Sequence, residues 1–312
     1  MSLAFVFPGQ GSQSVGMLKE LASQFPQVEQ VFAEASAVLG YDLWQLVCSG
    51  TAEDLNQTDR TQPAMLAAGI AVLRCWQSQT DIKPDYFAGH SLGEYTALVA
   101  SGALDFKDAI KLVAQRGLFM QQAVPAGEGA MAAILGLADD VVIALCEEAS
   151  QAGVVEAVNF NSPGQVVIAG GAEAINQAIV LAKDKGAKRA LLLPVSVPSH
   201  CALMKPAAEN LSLALTNIVV QSPQTPVIHN TSVTATTDAD EIKRLLTDQL
   251  HNPVRWVETV QWFAQQGVTT VIECGPGKVL AGLSKRIDKS LTALPVFDPA
   301  TLEKATTLLG EE

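Results

Sequence analysis

With 312 residues, 48% of them hydrophobic, the chain can bury a substantial core as one large domain or as one large and one small. Its 20 Lys and Arg against 32 Asp and Glu give a net charge of −12, which excludes a broad electrostatic grip on nucleic acid and leaves any acidic partner dependent on a local basic patch. The five cysteines (Cys48, Cys75, Cys146, Cys201, Cys274) are scattered, with no Cys-x-x-Cys pair and no disulfide framework, so a reducing cytoplasm is expected; no apolar segment approaches the span of a bilayer, and no membrane contact is expected.

Leu3-Ala4-Phe5-Val6-Phe7 is a short apolar run of the kind that makes a buried strand, broken at once by Pro8-Gly9-Gln10-Gly11-Ser12-Gln13. Gly9 and Gly11 fill two positions of a dinucleotide-binding fingerprint, but Ser14 stands at the third and no acidic residue follows a second strand at the required distance, so that reading is rejected. A loop at the carboxyl end of a strand remains, placed where open α/β sheets bind ligands. Residues 18–47 read as helices with surface charge, and Gln62 to Gln77 reads as a helix apolar on most faces and therefore buried.

Tyr86-Phe87-Ala88 then reads as a strand running into Gly89-His90-Ser91-Leu92-Gly93-Glu94-Tyr95 and a helix from Tyr95 onward. Glycines on both sides of Ser91 permit a sharp turn without a Cβ clash, which makes Ser91 a nucleophile on a strand-to-helix elbow. The N–H of Leu92, at the helix start, faces the oxyanion formed when such a serine attacks a carbonyl. Phe106 to Ala123 reads as a helix with Ile110, Val113, Gly117 and Leu118 on its apolar side. Arg116 lies beside that stripe, on a flank unusually apolar for a guanidinium; taken alone, it reads as an edge arginine paired with a structural carboxylate.

From Gly127 the texture changes to strand-like 130–137, helix 139–151, strands 154–159 and 165–169, helix 172–185 and strand 190–197. The order β-α-β-β-α-β is that of a ferredoxin-like unit, compact enough to be a small domain (127–197) inserted in a larger one (1–126 and 198–312). None of the four histidines forms a metal-type pair. His200 is set apart by its place just past a strand end, where a general base could face Ser91. Val227 to Asn230 ends a further short strand, 241–250 reads as a helix, 268–273 as a strand, and 302–312 as a weak helix or frayed end.

Six motifs in order, Phe7-Pro8-Gly9-Gln10-Gly11-Ser12-Gln13, Gly89 to Tyr95, Gln115-Arg116-Gly117, Ala157 to Pro163, Val197-Pro198-Ser199-His200 and Glu273-Cys274-Gly275-Pro276-Gly277, closely resemble the malonyl-CoA:acyl carrier protein transacylases of bacterial type II fatty acid synthesis. The resemblance spans nearly the whole chain. It implies a large α/β-hydrolase-like domain with a central, mostly parallel sheet and an inserted ferredoxin-like α+β domain. It also implies Ser91 as the acylated nucleophile, His200 as its base, the backbone N–H groups of Gln10 and Leu92 as the oxyanion hole, and Arg116 as the holder of the malonyl carboxylate. Gln249 matches the position whose backbone carbonyl orients the histidine, and Asn159 looks like a pocket residue. Malonyl-CoA is the implied donor, with no cofactor beyond that thioester, and acyl carrier protein is the implied partner of a monomeric enzyme. Lys183, Lys185, Lys188 and Arg189, with Lys278, Lys285 and Arg286, are the basic residues from which a docking patch for an acidic carrier would be drawn. Two other readings stand beside this one: a serine hydrolase with Asp248 and His251 completing a triad, and a non-catalytic binder of coenzyme A thioesters.

Overall fold

A computed structural model describes residues 2–195 and 197–310. Among them, nine strands form two sheets: β1 (Leu3–Phe7), β2 (Tyr86–Gly89), β3 (Gly129–Leu135), β4 (Val155–Ser162), β5 (Gln165–Gly171), β6 (Arg189–Leu192), β7 (Val227–Ile228), β8 (Thr270–Cys274) and β9 (Thr292–Val296). The larger sheet has the order β7-β2-β1-β8-β9, and every pairing in it is parallel. The smaller is the antiparallel β4-β5-β3-β6, the ferredoxin-like order expected from the chain.

Parallel strands with helices on both faces must be apolar on both sides, and β1 is buried along its whole length. Leu3, Phe5 and Phe7 enter one core layer, while Ala4 and Val6 enter the other with Trp256 and Phe263. The first layer is filled by the helix Thr58–Gln79, whose Trp76 meets Phe5 edge-on at 5.1 Å. That helix begins four residues before the sequence suggests, because the N–H groups of Arg60 and Thr61 both find the Gln57 carbonyl.

Other differences have similar local causes. Leu118 is 43% exposed; the buried stripe of the Phe106–Ala123 helix runs Ile110, Val113, Gly117, Met120 instead. The last strand of the small sheet stops at Leu192 rather than Val197, since Pro194 has no N–H to continue the ladder; Ser196 lies outside the described residues. β4 runs on to Ser162 through two bulges, and Asn159 at the first of them bridges to Val254, tying β4 to the segment that precedes the helix Trp256–Gln265. The carboxyl-terminal segment is a packed helix, Pro299–Gly310, with Leu302, Ala305 and Leu309 buried; Glu311 and Glu312 lie outside the described residues.

The close approach that places the elbow is between Gly93 and β1, where a Cβ on Gly93 would lie 2.0 Å from the Phe7 carbonyl oxygen. Gly93→Ala is therefore expected to lower unfolding free energy by about 2–3 kcal/mol. In contrast, Gly282→Ala, in the helix Val279–Ile287 with open space around it, is expected to raise it by about 0.5–1 kcal/mol. Urea titration of both variants checks the pair.

Candidate active site

Ser91 turns the chain between β2 and the helix Gly93–Ala100 with φ 52°, a left-handed conformation that costs a residue with a Cβ roughly 1–3 kcal/mol. Its surroundings fix it there. Asn230 accepts the Ser91 N–H at 2.8 Å and donates from Nδ2 to the Gly89 carbonyl at 2.7 Å, strapping the elbow on both sides. His200 is also left-handed, φ 69°, and its N–H donates to the Leu250 carbonyl.

These two strained residues meet. Ser91 Oγ lies 2.8 Å from His200 Nε2, and His200 Nδ1 lies 2.7 Å from the Gln249 carbonyl oxygen. A carbonyl can only accept, so Nδ1 carries the ring proton and Nε2 is left to accept from the serine hydroxyl. Burial and then the neighbouring Arg116 charge push the His200 pKa down to about 3, which keeps the imidazole neutral and able to take a proton.

Arg116 is 1% exposed. Its Nη1 donates to Gln62 Oε1 at 2.9 Å, its Nη2 donates to Gln249 Oε1 at 3.0 Å and sits 3.4 Å from Ser91 Oγ, and its guanidinium stacks 5.3 Å from the Tyr95 ring centre. Burial pushes the guanidinium below its ordinary value. No carboxylate among the described residues forms an ion pair with it, so the edge-arginine reading is not what forms.

A cavity of about 330 Å³ between the two sheets is lined by Gln10, Ser91, Leu92, Arg116, Asn159 and His200. Six of the seven site residues picked from the sequence thus face one space, and the seventh, Gln249, lies fully buried with its backbone carbonyl on His200. Neither the Gln10 N–H nor the Leu92 N–H is taken by another protein group among the described residues. The hydrolase triad does not assemble: Asp248 pairs with Arg244, and His251 lines a separate groove beside Lys205 and Thr247. Sequence reasoning passed over Gln62, Asn230, Glu94 and His229. Glu94 stood inside the serine motif, His229 and Asn230 end a short strand, and Gln62 is the one amide at the head of an apolar helix.

A base held by a carbonyl rather than a carboxylate, beside a cation with no anion of its own, suits exchange of an activated acyl group, and comparison with known proteins gives the same class. The chain is an acyltransferase: residues 4–303 match the family model described as the acyl transferase domain. Within it the chain belongs to the malonyl CoA-acyl carrier protein transacylases, being 56% identical over 305 residues to the Escherichia coli protein of that name, covering 98% of this chain and 99% of that one. An acyl carrier protein S-malonyltransferase from Vibrio cholerae superposes with a TM-score of 0.95 at 59% identity, over 98% of this chain and 100% of that one. A malonyl-transacylase solved in complex with its type II PKS acyl-carrier protein superposes at 0.97 with 55% identity, over 99% and 100%.

A base with its pKa near 3 stays unprotonated through the neutral and mildly acid range. The kcat/KM of serine acylation is expected to stay flat from about pH 8 to about pH 5, with no inflection at an ordinary histidine value. A break between pH 6 and 7 in a stopped-flow loading profile, on the order of one protonation, would contradict it.

Proposed function

We propose that the chain moves a malonyl group from coenzyme A to the phosphopantetheine thiol of acyl carrier protein, with Ser91 carrying the group between them. The observation that carries this reading is the buried, carboxylate-free Arg116 at 3.4 Å from Ser91 Oγ. In a malonyl thioester the free carboxylate is only two carbons from the reacting carbonyl, so the group that holds it has to stand next to the nucleophile. A guanidinium answers a carboxylate through two parallel hydrogen bonds, strengthened where water is excluded, and an acetyl group offers it nothing.

In the first half-reaction Ser91 Oγ attacks the thioester carbonyl while His200 Nε2 takes the hydroxyl proton. The oxyanion is met by the N–H groups of Gln10 and Leu92; it collapses, the C–S bond breaks, and His200 returns its proton to the departing thiolate. The carrier thiol then attacks the malonyl-serine ester, giving its proton to His200, and Ser91 leaves with that proton. Thiolate is a good leaving group, so the Gln249 carbonyl suffices to hold the imidazole where peptide hydrolysis uses a carboxylate. The exchange moves an acyl group and protons with no change of oxidation state, and no cofactor enters it. Asn159 lines the same cavity as the nucleophile. Action as a monomer is part of the proposal, and five free cysteines support a cytoplasmic setting. No helix among the described residues is long and apolar enough to cross a membrane.

For the carrier, Lys188 and Arg286 are the basic residues to weigh first. They line a surface cleft of about 570 Å³ with Gln165, which also lines the catalytic cavity and accepts from Arg286 Nη1 at 3.0 Å. Lys185 is engaged with Glu148 at 2.9 Å. Lys183, Arg189, Lys278 and Lys285 are exposed further candidates.

Arg116→Ala is expected to cut malonyl loading by about a hundredfold or more while acetyl loading changes little or rises; equal losses for both acyl groups would end the clamp reading. Reversing Lys188 and Arg286 to Glu together is expected to slow transfer to the carrier by about tenfold, more at low salt, while loading from a short malonyl thioester without the nucleotide is unchanged. Unaltered transfer would move the docking surface elsewhere.

A further inference from the structure

Beneath the cavity lies a second charged group that the reaction as written does not use. Glu94, 1% exposed, receives three N–H groups on its two carboxylate oxygens: His229 Nδ1 at 2.6 Å on Oε1, and the Asn230 backbone N–H at 3.1 Å and Gln249 Nε2 at 2.7 Å on Oε2. All four residues are buried, and the loop that delivers His229 and Asn230 is closed by Val233 at φ 56°, with its N–H on the His229 carbonyl.

The Gln249 amide is what joins this carboxylate to Arg116. Its Nε2 faces Glu94 and the Ser91 carbonyl at 3.0 Å, and its Oε1 faces Arg116 Nη2. An ionised carboxylate only accepts, and a guanidinium only donates. The amide therefore has one allowed orientation; flipped, it would set oxygen against two acceptors and NH₂ against the guanidinium. We propose that Glu94 is a positioning residue for carboxylate selectivity, acting through the Gln249 amide to fix Arg116 where it meets an acidic acyl group. The proposal rests on the reading of Arg116 as the malonyl clamp. Its logic is one of polarity: Glu94 supplies the negative charge that the buried cation lacks in direct contact, while leaving the face of the guanidinium toward Ser91 unpaired.

Glu94→Gln keeps shape and removes the charge. With the His229 proton kept on Nδ1, the new NH₂ opposes both the Asn230 N–H and the Gln249 NH₂ and turns the Gln249 amide so that its NH₂ presses on Arg116; with that proton moved to Nε2, which has no partner among the described residues, the new amide donates to Nδ1, the Gln249 orientation survives, and the loss is that of the Glu94 charge alone. The Gln249 backbone carbonyl stays on His200. The expected result is a fall of about tenfold or more in the malonyl-over-acetyl ratio of kcat/KM, with labelling of Ser91 by a neutral fluorophosphonate held within about threefold. Gln249→Met, which retains length and the backbone carbonyl, is expected to lower that ratio in the same way, whatever its effect on labelling. The double variant is expected to be no worse than either single one, because both remove one relay. A ratio within about twofold of the parent in Glu94→Gln and Gln249→Met, or malonyl loading and labelling that fall in step as for a damaged fold, overturns the proposal. Arg116→Ala run alongside separates the two ideas: if it loses the preference and Glu94→Gln keeps it, only the positioning role fails; if it too keeps the preference, the clamp reading fails and takes this proposal with it.

Discussion

Arg116 is a full positive charge in a water-poor site with no carboxylate of the described residues touching it, and the site is built around the cost of keeping it there. Desolvating such a group costs several kcal/mol unless hydrogen bonds replace the lost water. Gln62 and Gln249 give it two amide oxygens and Tyr95 gives it a ring face. Amides solvate the cation without neutralising it. An ion pair would satisfy the guanidinium permanently and leave nothing for a ligand, whereas this arrangement offsets part of the desolvation cost and, on the proposed reading, keeps attraction in reserve for an anionic acyl group. The same charge acts on His200, where it adds to burial in holding the imidazole neutral.

The architecture brings the remaining parts to that charge. Parallel strands β2 and β1 end side by side, so the elbow of Ser91 and the loop carrying Gln10 emerge together at the carboxyl end of the sheet. The antiparallel sheet closes the space from the other side with Asn159 on a bulge of β4, and the bridge from Asn159 to Val254 anchors that bulge to the segment before the helix Trp256–Gln265. His200 and Gln249 arrive from segments over a hundred residues beyond the serine in sequence. Their geometry is held by the backbone: both Ser91 and His200 sit at positive φ, and both have their N–H groups engaged by residues of the 230–250 region. Strain at the two reacting residues is thereby balanced by one packed segment.

Much of this was legible in the sequence because local rules and global fold agree. A five-residue apolar run followed by glycines is a parallel strand and its loop wherever helices cover both faces, and the alternation of Leu3, Phe5 and Phe7 against Ala4 and Val6 assigns the two core layers. The glycine-flanked serine reads as an elbow for the steric reason seen at Gly93. The inserted unit was visible as a change of texture and an element order. What escaped is what only three dimensions create. Leu118 was assigned to the apolar face with Gly117 on local spacing, but the packing of that helix against Thr58–Gln79 keeps Gly117 and buries Met120 in place of Leu118. Glu94, His229 and Asn230 are each unremarkable polar residues in sequence, since their importance arises from being buried together across separations of about 135 residues. Gln62 reads only as the start of a buried apolar helix until its Oε1 is found accepting from Arg116 Nη1.

The central claim is that Ser91 carries a malonyl group between two thiols, and intact-mass measurement of the protein tests it most directly. The purified chain is mixed with malonyl-CoA beside a Ser91→Ala control, and phosphopantetheinylated acyl carrier protein is then added. The account predicts a single malonyl adduct that forms only with Ser91 present, persists in buffer, and moves to the carrier on its addition. An adduct that drains to water with the carrier left unloaded, or no adduct despite bound malonyl-CoA, would contradict it.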